Sequence, residues 1–371
     1  MARGKLALLS AKFADLLSAD PELFELLSNC LLCGACGESC AGGVKADDLI
    51  REGRSLLIDK VGAAKWKKFL ARNILPFPER LKVLQAGQKL LFKKIPQERG
   101  LRLRFSSDPR TWPAVQKPFF LDRQDGPPSS SSRNKLGFFV GCTINYLYPE
   151  VGEASLKLLS PGGEIILPQE QTCCGLPAFA LGDRKTARDL ARKNILAFSK
   201  VPLDSIVVAC SSCATHLKTD YGELLKEEAD LQPQVQNFLQ RVVELSQYLL
   251  KQDHKRSASP SHPAQFVAFH DPCHAKRKLR ITKEPRELLK GVPGLSLVEL
   301  KGDRCCGHGG FFSLSHPELS QKILDHPLKD LDQSRAEVVT TSCMACLMQF
   351  KLGVQRTGRK IQVKHWTELM L

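Results

Sequence analysis

Apolar positions recur at helical spacing through "LALLSAKFADLL" and "PELFELLSN", which predicts helix over residues 5–29. A second amphipathic run, "VKADDLIREGRSLLIDKV", predicts another helix, and basic helical stretches continue to about residue 95, broken near Pro76 and Pro78. Past residue 134 the pattern changes. "KLGFFVGC", "GEIILP" and "SIVVAC" are short apolar runs of strand length, separated by helical stretches such as "DRKTARDLARKNILAFSK". "QFVAFHDPC", "LSLVELK" and "AEVVTTSC" answer them further on, spaced by helices such as "PELSQKILD". Strands alternating with helices predict βαβ units and a parallel sheet in each half. The Pro- and Ser-rich "DGPPSSSSRN" and "KQDHKRSASPSHPAQ" read as flexible connections. The layout is then a helical domain at 1–100, a linker at 101–134, an α/β module at 135–250, a linker at 251–264 and a second α/β module at 265–371.

Composition adds bounds. A chain of 371 residues with 43% apolar and 25% charged side chains is expected to form two or three domains with real cores. No stretch approaches the roughly 18 unbroken apolar residues of a membrane helix. In the opening "MARGKLALLSAKFADLLSAD", Lys12 and Asp15 interrupt any signal-peptide core and no small-residue cleavage site follows, so a cytoplasmic location is expected. The net charge is +15, and much of the excess lies between Lys60 and Lys135, in "KWKKFLARN", "KLLFKK" and "RGLRLRF". Contact with an anionic membrane surface, contact with an acidic partner subunit and a solvated helical face all fit it. No recognition motif accompanies the charge, so a nucleic-acid partner is not expected.

The cysteines change the picture most. Fourteen is a high count for a chain kept in reducing surroundings, and points to metal binding or redox chemistry rather than disulfides. They fall into three groups with none left over. The first is Cys30, Cys33, Cys36 and Cys40 in "CLLCGACGESC". The second is Cys142, the adjacent pair Cys173 and Cys174, and Cys210 and Cys213 in "CSSC". The third is Cys273, the pair Cys305 and Cys306, and Cys343 and Cys346 in "CMAC". Neighbouring Cα atoms sit about 3.8 Å apart, below the usual span of a disulfide, so the adjacent pairs read as ligands. The second and third groups share one order and similar gaps, and so form an internal repeat.

The first group has the two-two-three spacing of a bacterial ferredoxin iron–sulfur run. Zinc sites usually pair two CxxC knuckles over a longer gap, and four thiolates already satisfy tetrahedral zinc. Five soft thiolates per repeat favour an iron–sulfur centre or a redox-active site. "CSSC" and "CMAC" each also look like a redox dithiol, but inside the five-cysteine repeat ligation is the expected role. Gly175 and Gly307, after each CC pair, would allow close approach to a bulky cluster and unusual dihedrals. His270, His274 and His308 stand beside cysteines, where a histidine can ligate iron, hydrogen-bond to sulfur, or simply pack and cap a turn. Asp271 and Pro272 would shape the turn that presents Cys273. No Ser–His–Asp set, P-loop or Gly-rich flavin site is recognisable.

The doubled Cys…CCG…CxxC pattern resembles the cysteine-rich CCG domain of the heterodisulfide reductase and glycolate oxidase iron–sulfur subunits. "CLLCGACGESCAGGVKADDLIREGR" resembles the second of two ferredoxin runs that precede that domain in the glycolate oxidase subunit. The resemblance implies a helical ferredoxin-like cluster domain followed by two repeated α/β CCG modules. It implies that Cys30, Cys33, Cys36 and Cys40 hold a [4Fe-4S] cluster, and that each CCG module holds a further iron–sulfur cluster or a redox-active thiol set. The implied function is an electron-transfer subunit of a 2-hydroxy-acid oxidase, of glycolate or lactate. An FAD flavoprotein subunit would supply the electrons and a quinone or other acceptor would take them, with peripheral contact at the inner face of the membrane. The same resemblance leaves open a heterodisulfide-reductase-like enzyme that reduces a disulfide at a CCG centre, and a zinc-stabilised interaction protein is a third reading. In the relatives, "ARGKLALLSA" resembles the helix that follows the first ferredoxin run. The expectation is therefore that such a run was lost or that the start codon lies upstream of Met1; otherwise Cys40 or another ligand completes the first cluster.

Overall fold

The computed structural model describes residues 2–61, 112–123, 134–252 and 262–371, with positions 69 and 72 and two short strands, β1 (Phe92–Ile95) and β2 (Gly100–Leu103). Most of the basic stretch between Lys60 and Lys135, "DGPPSSSSRN", and most of "KQDHKRSASPSHPAQ" lie outside the described residues.

The first segment is helical, but not as one unbroken span over 5–29. Helices run Ala2–Phe13 and Pro21–Ser28. The restart is a capping event: Asp20 accepts the Leu23 N–H at 2.7 Å and Pro21 occupies the first helical turn. The helix expected from "VKADDLIREGRSLLIDKV" forms at Ala46–Leu57. Leu9, Leu23, Phe24, Leu27, Ile50 and Leu57 make a small core there, which borrows Leu181 from the next module. Helix to residue 95 needs correcting: β1 pairs antiparallel with β2, and β2 with β3 (Trp112–Pro113). "GLRLRF" alternates apolar and basic residues with period two, which is a strand pattern.

The two α/β modules share one topology. In the first, β4 (Lys135–Phe139), β5 (Glu164–Ile166), β6 (Ser205–Val208) and β7 (Val242–Glu244) form a parallel sheet in the order β5-β4-β6-β7. In the second, β8 (Gln265–Phe269), β9 (Leu295–Val298), β10 (Val338–Thr341) and β11 (Gln362–His365) repeat it as β9-β8-β10-β11. Central strands such as "VVTT" are buried at every position, as a parallel sheet covered on both faces demands. The helix expected at "DRKTARDLARKNILAFSK" spans Arg184–Ser199, and "PELSQKILD" opens a longer one, Pro317–Asp332. Within the span read as a linker, Phe119 and Phe120 are buried, Phe120 in the core of the first module. Among the described residues no helix is long and apolar enough to cross a membrane.

Candidate metal centre

Parallel topology puts every strand's carboxyl end on one edge of its sheet, and ligands gather at such edges. Cys210 and Cys343 lie two residues past β6 and β10, where each is the N-cap of the following helix, Ser211–Thr219 and Met344–Thr357. Cys213 and Cys346 follow within the first turn. A helix start favours negative charge, yet of these four only Cys343 is held below the usual thiol range, chiefly by the neighbouring Cys210 thiol; neighbouring thiols and burial raise Cys213 and Cys346. The CC pairs sit just ahead of helical turns, with Gly175 and Gly307 at φ +93° and +83°.

The carboxyl edges of the two sheets meet. Ser211 N–H donates to Ser342 O at 2.8 Å, and His270 N–H to Thr340 O at 2.8 Å within the second module. At the meeting line lies a cavity of ≈ 170 Å³ whose lining includes all ten cysteines of the repeats. Leu31, Leu32, Asp47, Asp48 and Arg51 of the first segment close part of it. Seven of the ten, Cys173, Cys174, Cys210, Cys213, Cys306, Cys343 and Cys346, are buried, and all fourteen cysteines are free thiols.

The thiols neighbour one another in series, with one thiol–thiol hydrogen bond among the described residues, Cys346 to Cys306. The series starts at Cys33 in the first run, which meets Cys305 of the second module. Cys305 meets Cys273 and Cys306, and Cys306 meets Cys346 at 3.1 Å. Cys346 reaches Cys343, which meets Cys210 of the first module. Cys210 passes to Cys213, then Cys174, Cys173 and Cys142. Contact along the series polarises it. Cys306 is held well below the usual thiol range, chiefly by the neighbouring Cys305 thiol and then by the hydrogen bond from Cys346, while its partner Cys346 is held well above it. The Cys305 thiol lowers Cys33 to about 7, and the Cys173 thiol lowers Cys174 to about 6.

Of the first run, Cys30, Cys33 and Cys36 feel one another's charge, and burial raises Cys36. Cys40 lies past the short helix Ala35–Glu38, with its N–H on Gly37 O, and does not line the cavity. Arg54 fixes the run's entry: its guanidinium donates to the carbonyls of Leu27 (2.8 Å), Ser28 (3.3 Å), Cys30 and, in the first module, Ala180 (2.6 Å). Arg277, in the middle of the π-helical turn Ala275–Leu279, pairs with Glu38 at 2.7 Å and with Asp303. Lys278 pairs with Asp47 at 2.8 Å and Asp48 at 3.3 Å. None of these cations stood out in the sequence, because a basic run such as "HAKRKLR" looks like a solvated face.

The three histidines divide. His270 is buried against Phe350 and its ring lies with Cys306 and Cys346 in a group whose ligand atoms fall within 4.8 Å of one another, so it is placed to share a metal with them. His274 is in hydrogen-bonding reach of Cys273; burial is the largest influence and opposes its charge, but the Cys273 thiolate and Asp220 together raise its pKa. His308 faces Gln349 and Ser313, and burial lowers its pKa.

These residues fit iron–sulfur binding. Five thiols per module exceed a tetrahedral zinc site, and seven buried thiols would be uncompensated charges if ionised without a metal. Two parallel modules of one topology, with all their cysteines on a shared cavity, define a protein of the tandem cysteine-rich class. The cysteine-rich CCG domain matches it twice, at residues 136–218 and 267–351. Over an alignment of 392 positions the chain is 28% identical to a protein of Bacillus subtilis named probable glycolate oxidase iron–sulfur subunit, covering 100% of this chain and 87% of that one. It is 32% identical over 238 positions to lactate utilization protein A of Halalkalibacterium halodurans, covering 64% of this chain and 96% of that one. The chain belongs to the CCG cysteine-rich family that these two proteins represent. A crystal structure of a hypothetical protein from Helicobacter pylori shares the fold, with a TM-score of 0.52 and 10% identity, over 94% of this chain but 63% of that one.

Proposed function

We propose that this chain is the iron–sulfur electron-transfer subunit of a complex that oxidises a 2-hydroxy acid, glycolate or lactate. A flavoprotein subunit carrying FAD would oxidise the acid, and a quinone or other acceptor would receive the electrons. In this reading the first segment is a ferredoxin-like domain in which Cys30, Cys33, Cys36 and Cys40 hold a [4Fe-4S] cluster. Cys142, Cys173, Cys174, Cys210 and Cys213 hold iron in one CCG module, and Cys273, Cys305, Cys306, Cys343 and Cys346 in the other. Bound iron–sulfur centres supply one-electron carriage; the protein supplies position, exclusion of water and electrostatics. The observation that carries the reading is the single cavity lined by all ten repeat thiols, with Cys33 of the first run beside Cys305 at its edge. The chain would act in the cytoplasm, in peripheral contact with the membrane or with an acidic partner.

The test is an anaerobic pull-down from the native cell, assayed for iron, acid-labile sulfide, flavin, and glycolate- or lactate-dependent dye reduction. A co-purifying flavoprotein with hydroxy-acid activity supports the reading. Iron–sulfur protein without flavin that traps a substrate thiol would instead make the CCG centres a site of disulfide reduction. Zinc without sulfide would overturn both.

A further inference from the structure

We propose that the Ser212 hydroxyl is a positioning residue of the seam between the modules: a donor shared by the Cys210 and Cys343 sulfurs that sets the reduction potential of the iron they hold. The proposal rests on the reading that the CCG modules bind iron. Ser212 is buried in the first turn after Cys210 and lines the cavity. Its Oγ is 3.2 Å from Cys210 Sγ in its own module and, between free thiols, accepts from Cys343 Sγ–H at 3.4 Å in the other; once both sulfurs are thiolate ligands they can only accept, and the hydroxyl becomes the donor. The seam is reciprocal, since the Met344 N–H of the second module reaches back to Cys210 Sγ at 3.4 Å.

The two modules are not equivalent here. Aligning "CSSC" with "CMAC" puts Ala345 where the first module has Ser212, and alanine has no donor. One hydroxyl therefore serves two sulfurs, and its single proton goes to whichever sulfur carries more negative charge. Reduction adds negative charge to a centre, and a hydrogen bond to a ligand sulfur stabilises that charge and raises the potential. Burial keeps water from substituting for the lost donor.

Ser212→Ala should keep its iron and sulfide and lower the midpoint potential of one centre. A donor to a charged acceptor is worth about tenfold in the reduction equilibrium, or about 59 mV for a one-electron step. EPR-monitored redox titration of the anaerobic holoprotein reads this directly. Ser212→Thr, which keeps the hydroxyl, should titrate with the unaltered protein, and Ala345→Ser, which adds a second donor at the seam, should shift upward. An iron-loaded Ser212→Ala protein at the unaltered potential overturns the proposal, as does a Ser212→Thr protein that falls like the alanine variant. Should Ser212→Ala fail to load, Ser212→Thr and Ala345→Ser carry the decision: no upward shift in the latter overturns it. Unaltered protein free of iron and acid-labile sulfide would defeat the underlying reading, which is a separate outcome.

Discussion

Arg54 ties the entry of the first cysteine run to the first module. Its guanidinium is buried and makes charge-assisted hydrogen bonds to four carbonyls, three at the end of helix Pro21–Ser28 and the start of the run and one in the first module. Burial lowers its pKa to about 10, so it stays cationic at neutral pH. The five donors of a guanidinium in a fixed fork fit this cage of acceptors, and an ammonium does not. Arg54→Met would leave the carbonyls without partners at a cost of roughly 3 kcal/mol or more. Arg54→Lys should recover only part of that. Denaturant unfolding of the three proteins, matched for iron content, checks the order unaltered, Lys, Met. An Arg54→Met protein as stable as the original would mean that water replaces the guanidinium.

The glycines of the CCG motifs work at the scale of the element. Their left-handed dihedrals turn the chain away from the thiol pair, and each bare α-carbon packs against a long helix further on: Gly175 against Ala187 and Leu190 of Arg184–Ser199, and Gly307 against Ser320 and Ile323 of Pro317–Asp332. A Cβ on Gly307 would lie 2.6 Å from Ser320 O, whereas one on Gly358, also at positive φ, would meet nothing within 4 Å. Gly358→Ala should therefore cost only the backbone term, about 1 kcal/mol, and Gly307→Ala roughly 3 kcal/mol or more. Equal losses in thermal unfolding would show that the close approach relaxes freely. The same elements show what a sequence displays and what it hides. The six expected strands and the repeat were legible because buried parallel strands are continuous apolar runs and the cysteine order recurs. The fourth strands, "VVE" and "QVKH", were not, since each is a short sheet-edge segment carrying polar residues. The three thiol sets were visible as sets, but their joining at Cys33 with Cys305 and at Cys343 with Cys210 depends on how the sheets face each other. Ser212 carried one faint signal, a hydroxyl inside one CxxC and not in the other.

Across the whole molecule, the first segment is a cap. It contributes Leu31, Leu32, Asp47, Asp48 and Arg51 to the cavity wall and is fastened to both modules. Arg54 to Ala180 O and Arg184 to Glu52 (2.7 Å) hold it to the first, and Arg277 to Glu38 and Lys278 to Asp47 hold it to the second. The fastenings to the second module matter most to the site, because they lie beside the meeting of Cys33 and Cys305. The Arg277 side chain is 8% exposed while Glu38 and Asp303 are 36% exposed, so solvent screens the pairs and each is worth about 1 kcal/mol. Removing both cations should thus leave the fold intact and loosen the cap. In metal-free protein, the Arg277→Gln/Lys278→Gln double variant should react with a bulky charged thiol reagent at the cavity cysteines about tenfold faster, with little change in thermal unfolding. Arg356→Gln, which breaks a pair with Asp325 at 2.6 Å on the outer helices, should leave the rate unchanged. An unchanged rate in the double variant would assign the cap's closure to its apolar contacts and Arg54. A faster rate in both would assign the reagent's entry to general loosening. Only acceleration confined to the double variant makes the charge clamp the part that keeps solvent from the thiols, and water exclusion is what an electron-carrying centre in that cavity requires.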